Sequence, residues 1–523
     1  MSDERSGLLG RASVVAGGTL ASRVLGAVRD IVIAATFTAA STDLFWMAFT
    51  IPNALRVLLG EGAVSGAFVP VLTEAREKAG AERARALFAK LAGSMALVLL
   101  CVSVLGVLLA EPSVALYASG FSKESFDRTV DLTRWVFPYI FFMGLAALAT
   151  GALHSEKRFF APAFAPLLLN VALIAAPFTM VGLAATVGLP PIGSLALGAL
   201  LGGLLHLLAQ LPALARVGML RLPRPDWSDP YVRKAFRLMG PLLIALGVYQ
   251  LNVALSRQFA SYLPAGSLSY LYYGQRLVEI PQGMFALAIA SAALPSISKV
   301  VAQGDIDGAK AIFRDGLALS LFVAIPSSIG LAVLAEPIVA VLFGRGAFGA
   351  IEIAETGKSL VLQALGVWAV ASVRTIVPMF HALNDTRSPV WASGANLVVF
   401  GIAAISLYRP FGHVGLAAAI SLAAVAQLIT LLSLLRRKAG RLGIREVLVR
   451  SGRVFAASAA AGLAMGAIAH LGQWQRGAAD LRNPLLLVAA LTAGVVTFFA
   501  SAKALGVPEL EAFVAAIRRR LRR

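Results

Sequence analysis

The residues of this chain that could do chemistry are charges placed inside long apolar runs. Arg23, Arg29 and Asp30 lie in or near the first run, and Asp43, Arg56 and Glu61 in the second. Arg257 lies in the seventh, Arg276 and Glu279 in the eighth, and Lys358 and Arg374 in the tenth. A charge at mid-bilayer costs about 2.5–3.5 kcal/mol on insertion scales, so such residues normally face a bundle interior or a wet cavity. Some can pair instead: Arg276 with Glu279 (i, i+3) and Arg23 with Asp30 (i, i+7) each fall along one helix face. Asp43 stands where a helix N-cap would. Arginines outnumber acids locally, so pairing cannot neutralise them all. Uncompensated guanidinium groups in a cavity favour an anion, and their planar fork suits phosphate and pyrophosphate. Arg23 and Arg29 are six residues apart, about 120° around an ideal helix. They converge only if the helix bends or the cavity wraps around it, and Gly26 between them permits close packing or a bend.

The elements that must position these charges follow from composition. Of 523 residues, 58% are hydrophobic and 14% charged, with a mean hydropathy of +0.80. Soluble chains run about 45–50% apolar and about 25% charged. Apolar runs of about 20 residues, the length that crosses a bilayer, follow one another without polar linkers. The chain therefore reads as an all-α polytopic membrane protein, which excludes soluble enzymes and nucleic-acid binders. About fourteen transmembrane helices are expected, near 10–37, 43–72, 86–110, 132–154, 159–185, 192–215, 235–261, 267–298, 311–343, 352–383, 388–408, 412–435, 454–471 and 483–505. The first run lacks the basic-then-apolar pattern of a cleaved signal peptide before it and is expected to be retained.

The formal charge of +19 would suggest nucleic acid in a soluble chain, but topology explains it first. Alternate loops and the C-terminal tail hold about 29 Lys and Arg, and the opposite loops about six, so both termini are expected in the cytoplasm. Those six are Lys123, Arg128, Arg345, Arg409, Arg476 and Arg482. The closing Arg518–Arg523 stretch would hold the tail on anionic lipid. A faint repeat relates IPNALRVLLGEGAVSGAFVPVL (51–72) to IPQGMFALAIASAALPSI (280–297). A shift of six helices keeps both halves in one orientation. Residues 1–217 and 218–440 are accordingly expected as two six-helix lobes around a central cavity, with 441–523 adding two helices and a basic tail. Cys101 is the sole cysteine, so no disulfide framework or cysteine metal site is expected.

SRVLGAVRD (22–30), STDLFWMAFTIPNALRVLLGEGAVSGAFVPVLTE (41–74) and YYGQRLVEIPQG (272–283) resemble the signature segments of the MurJ/MviN family of bacterial lipid II flippases, within the multidrug/oligosaccharidyl-lipid/polysaccharide exporter superfamily. FPYIF (137–141), APAFAPLLLN (161–170) and NDTRSPV (384–390) extend the match over nearly the whole chain. The resemblance implies fourteen helices in two lobes, alternating access, and a groove along spans 13–14 for a polyprenyl tail. It carries the family's cavity arginines onto Arg23, Arg29, Arg56 and Arg276, which would bind the diphosphate and attached sugar, and its acidic position onto Asp43. Glu61 matches as a residue of helix breakage or gating, and Glu279 joins this gating or structural set. Two positions depart: Gln275 stands where an acid is common, and Ser256 replaces an acid in the seventh span, so the acids that would ligate a coupling cation are absent there.

The function expected is translocation of undecaprenyl-diphosphate-linked peptidoglycan precursor from the inner to the outer leaflet for cell wall synthesis. No bond is broken, so no catalytic residue, cofactor or metal is expected. The expected partners are the lipid-linked precursor and membrane lipids, with cell wall synthesis proteins as candidates and a monomer as the oligomeric state. The bacterial inner membrane is the expected location. The alternatives are a sibling exporter of other lipid-linked oligosaccharides or drugs, and a membrane-embedded polyprenyl-linked glycan transferase. The transferase should cluster carboxylates or histidines near one membrane face, and here the acids are sparse. Other motifs mislead. GRGAFG (344–349) has the dinucleotide spacing without a strand-helix unit, and Gly357-Lys358-Ser359 lacks the upstream P-loop glycine. Asp305-Ile306-Asp307 reads as a helix cap. His381 and Asp385 (i, i+4) read as a solvated helix end before a cation or proton site.

Overall fold

A computed structural model describes residues 2–58, 64–282 and 287–521, and all of its regular structure is helical. The chain forms two compact units, Met1–Tyr262 and Leu263–Arg523. The first holds α1 (Ser2–Thr36), α2 (Ala39–Arg56), α3 (Ser65–Leu108), α4 (Ala110–Ala118), α5 (Lys123–Val136), α6 (Tyr139–Ser155), α7 (Phe160–Thr179), α8 (Val181–Thr186), α9 (Gly193–Leu208), α10 (Leu211–Arg216) and α11 (Pro230–Ser261). The second holds α12 (Ser267–Pro281), α13 (Leu287–Ala302), α14 (Ile306–Val333), α15 (Ala335–Phe343), α16 (Ala350–Ala364), α17 (Val367–Ala382), α18 (Arg387–Ala439), α19 (Ile444–Ala469), α20 (Arg482–Ala504) and α21 (Pro508–Leu521).

Among the described residues, eight helices are long and apolar enough to cross a membrane, or nine if the pair α16 and α17, bent by 41°, makes one span. That count does not test the expected fourteen, because among the described residues several expected runs are divided and others are joined in one long helix. The run 43–72 splits between α2 and α3, and 267–298 between α12 and α13. Conversely, the long helices α3 and α18 are interrupted at Gly80 (φ 82°) and Gly412 (φ 59°), left-handed positions that only glycine occupies without strain.

The two Ile-Pro segments of the faint repeat place their prolines inside helices. The regular part of α2 ends four residues after Pro52, and α12 ends at Pro281. Glu61 lies outside the described residues.

Helix contacts within each unit follow membrane rules, in which small residues let backbones approach. On α7 and α9, Gly198 and Gly202 face Ala172, Ala176 and Leu169, and a Cβ at Gly198 would stand 2.6 Å from that of Ala176. In the second unit, Phe313, Leu317 and Leu321 form one stripe of α14 in a core shared with Ile376, Met379 and Phe380 of α17 and Leu428, Leu431 and Leu435 of α18. The loop between α10 and α11 is strapped to α3. Arg224 N–H donates to the Ala89 carbonyl at 3.1 Å, and Lys90 pairs with Asp226 and Asp229 at 2.8 and 2.9 Å.

Candidate functional site

The first unit builds its site from three helices. Arg29 on α1 is 7% exposed and its neighbour Asp30 is 3% exposed. The Arg29 Nε and Nη2 donate to one Asp30 carboxylate oxygen at 2.9 and 2.6 Å, and Nη1 donates to Asn170 Oδ1 on α7 at 3.1 Å. The Asn170 amide then donates to the Ser22 carbonyl at 3.2 Å, so one side chain ties α7 to two levels of α1. From α2, the Trp46 ring centroid lies 5.7 Å from the Arg29 guanidinium carbon, within cation–π range. A cation, its carboxylate and an amide thus satisfy one another where water is excluded, which is what a buried charge requires.

Arg23 is placed differently. The helix does not bend to bring it beside Arg29: α1 runs unbroken through Gly26, and Arg23 is exposed. It makes no hydrogen bond or ion pair among the described residues, so the alternative pairing with Asp30 is replaced by Arg29–Asp30. Arg56, the last residue of α2, is half-buried and donates from Nε to Asn53 Oδ1 at 2.9 Å. Asp43 is not a cap. Thr38 caps α2 through its side chain, accepting from Ser41 N–H, which leaves Asp43 inside the helix at 4% exposure. A hydroxyl nearer the chain turn took the position that the run of apolar residues had suggested for the acid.

In the second unit, Arg276 is held along α12. Its Nε and Nη2 donate to the Tyr272 hydroxyl at 3.1 and 3.0 Å, one turn back, with the ring 5.0 Å away. Its Nη1 reaches Glu279 at 3.0 Å, the expected i, i+3 pair. The Arg276 side chain remains 40% exposed. Arg374 on α17 donates to the Gln282 carbonyl at 3.0 Å, tying α17 to the end of α12. Lys358 pairs with Glu355 at 2.7 Å, and His413 stands 3.4 Å from the same carboxylate. His381 and Asp385 do not act together. Asp385 instead receives Lys438 at 2.6 Å and caps the start of α18 through the N–H groups of Arg387 and Ser388. Asp305 caps α14 as its spacing suggested, accepting from Gly308 N–H at 2.8 Å.

Asn170 is the site residue that sequence reasoning left without a role. Its signal was present, an amide closing the apolar stretch APAFAPLLLN, where a polar side chain must find a partner across helices. No three His, Cys, Asp or Glu side chains converge on a metal-sized site among the described residues.

Comparison with known proteins agrees over most of the chain. The family profile described as lipid II flippase MurJ matches residues 33–482. A probable lipid II flippase MurJ from Vibrio cholerae serotype O1 is 36% identical over 428 residues, covering 80% of this chain and 81% of its own. Its counterpart from Bdellovibrio bacteriovorus is 34% identical over 521 residues, 98% and 97% of the two chains. Among solved structures, a lipid II flippase MurJ in an inward closed conformation superposes with a TM-score of 0.77 at 25% identity, over 94% of this chain and 98% of that one. An inward-facing multidrug resistance transporter of the MATE family, 14% identical, shares the fold with a TM-score of 0.66 over 80% of this chain and 95% of its own.

Proposed function

Because this chain belongs to the lipid II flippase MurJ family, we propose that it carries the lipid-linked peptidoglycan precursor across the bacterial inner membrane through its internal arginines. It is a membrane transporter and not an enzyme. Arg23, Arg56 and Arg276 take the diphosphate and its sugar, while Arg29, expected beside them, braces α1, with Asp43, Glu61 and Glu279 in gating or structural roles. Fourteen spans, lobes over 1–217 and 218–440, added helices over 441–523, and both termini in the cytoplasm complete the proposal. The working form is a monomer, with cell wall synthesis proteins as candidate partners.

The observation that carries the site is Arg23, a full guanidinium charge on a membrane helix with no protein partner among the described residues, six residues from the buried Arg29. An anionic headgroup supplies what Arg23 lacks. Arg29 supports that arrangement by anchoring α1 to α7.

The test is leaflet-resolved labelling of lipid II in cells depleted of this protein. Accumulation on the cytoplasmic side, reversed by the wild-type chain and not by Arg23→Ala at equal abundance, is the expected result. An unchanged distribution in cells without a redundant flippase would overturn the transport reading. Full rescue by Arg23→Ala would overturn the role of Arg23.

A further inference from the structure

Loops on the side away from the strongly basic ones are normally poor in Lys and Arg. Three of the few exceptions, Arg345, Arg476 and Arg482, fall on two loops that the second unit knits together. Ala478 N–H donates to the Gly344 carbonyl at 3.0 Å. The backbones meet so closely that a Cβ at Gly477 would stand 2.1 Å from the Gly344 oxygen. The turn between α19 and α20 is also braced from within. The Trp474 indole donates to the Ala469 carbonyl at 2.8 Å. The buried Asn483 amide donates to the Gln473 and Gly477 carbonyls at 2.9 and 2.8 Å.

On this scaffold lies an open surface depression of about 590 Å³ lined by Gln473, Arg476, Ala479, Asp480 and Arg482. Its one acid is already engaged: Asp480 accepts from the Arg482 backbone N–H at 3.0 Å and so caps the start of α20. Among the described residues, neither the Arg476 nor the Arg482 guanidinium has a hydrogen bond or an ion pair. Arg345 on the adjoining loop spends one nitrogen on the Val341 carbonyl and is otherwise exposed. In the same α19–α20 stretch, Leu471, Leu481 and Leu485 stand 62%, 79% and 71% exposed. Two guanidinium groups with exposed leucines close by in the chain match an amphiphile with an anionic head, and paired forks favour phosphate oxygens.

We propose that this depression, formed where the α19–α20 turn is stitched to the loop after α15, binds the phosphate of a lipid headgroup, with Arg476 and Arg482 as its ligands. That it faces the outer leaflet rests on the orientation proposed above; the binding chemistry does not. The phosphate source is a bilayer glycerophospholipid or a polyprenyl diphosphate, and these share the recognition chemistry.

The experiment places a photo-crosslinking residue at Ala479 of the full chain in nanodiscs. Labelled phosphatidylglycerol, undecaprenyl diphosphate, neutral diacylglycerol and inorganic phosphate are offered in turn. Both phosphate lipids should label the site strongly and diacylglycerol weakly. The Arg476→Gln/Arg482→Gln pair should cut that labelling about tenfold or more, as loss of two charge-assisted contacts implies. The Arg476→Lys/Arg482→Lys pair, which keeps the charge, should retain part of it and guards against a folding defect in the first pair. Preference for one phosphate lipid over the other identifies the source and supports the site. Labelling that survives the Gln pair, equal labelling by diacylglycerol, or retention of inorganic phosphate without lipid labelling would overturn it. Failure of the transport reading would leave this labelling unchanged, so the two can fail separately.

Discussion

Arg29 and Arg276 carry the same guanidinium, yet the two units build them in opposite ways. Arg29 is a cross-brace: it lies at 7% exposure between Asp30, Asn170 and Trp46, drawing on three helices. Arg276 lies along its own helix, resting on Tyr272 one turn back and Glu279 one turn forward, with 40% of its side chain open. A buried, fully engaged cation is costly to remove because its partners lose their compensation, whereas an open one can exchange its partners for a ligand. Mutations at the two should therefore part company, one in the fold and the other in transport.

The largest effect is expected at Arg29. Removing one member of a buried ion pair costs about 3–5 kcal/mol, so Arg29→Ala should lower the unfolding temperature and the membrane abundance sharply. Adding Asp30→Asn should recover part of that abundance by discharging the abandoned carboxylate. Normal abundance for Arg29→Ala alone would break the comparison from this side.

Arg276→Ala is expected next, with abundance near wild type and transport lost. Arg276→Lys should restore only part, leaving transport about tenfold down because a point charge cannot reproduce the fork. Western quantification beside complementation separates these outcomes. Disappearance of Arg276→Ala from the membrane would make Arg276 structural as well.

A smaller loss is expected at Asn170. Hydrogen bonds between membrane helices contribute about 0.6–2 kcal/mol, so Asn170→Ala should lower the unfolding temperature less than Arg29→Ala. Measuring both in the same detergent sharpens the comparison, because Asn170 contacts Arg29 without carrying charge. The two losses should be less than additive in the double variant.

The smallest effect concerns the loops that close each unit. In the first, hydrogen bonds from Lys90 and Ser228 hold the Asp226 carboxyl below its ordinary range. In the second, burial pushes the Asp385 carboxyl up, but bonds from Lys438, Ser388 and Arg387 outweigh it and hold it low. A depressed carboxyl contributes stability above its unfolded pKa, near 4, and that contribution is lost as pH falls through the lower folded value. Limited proteolysis of 217–229 and 384–386 should accordingly be the same at pH 5 and pH 8 and rise only in stronger acid. Cleavage that rises between pH 8 and 5 would contradict this.

What the sequence made legible divides along the same line. The Arg276–Glu279 pair and the Asp305 cap lie within one turn of helix, where spacing alone fixes who can touch. Arg29 and Asn170 are 141 residues apart, and no local pattern relates them. Asp43 shows the limit even over short range: an acid near the start of an apolar run suits a cap, but Thr38 sits five residues earlier and takes the role. Pro52 and Pro281 lie inside α2 and α12, within the apolar runs where the sequence placed them. The distinction between a bracing arginine and an open one was not legible, since it depends on which neighbours other helices bring.

The central claim is that an open arginine on a membrane helix handles the substrate. Its most direct test is leaflet-resolved labelling of lipid II in cells whose only flippase is the Arg276→Ala chain, expressed to wild-type abundance. Lipid II is expected to stay on the cytoplasmic side, as in depleted cells. An outer-leaflet level equal to that of the wild type would contradict it.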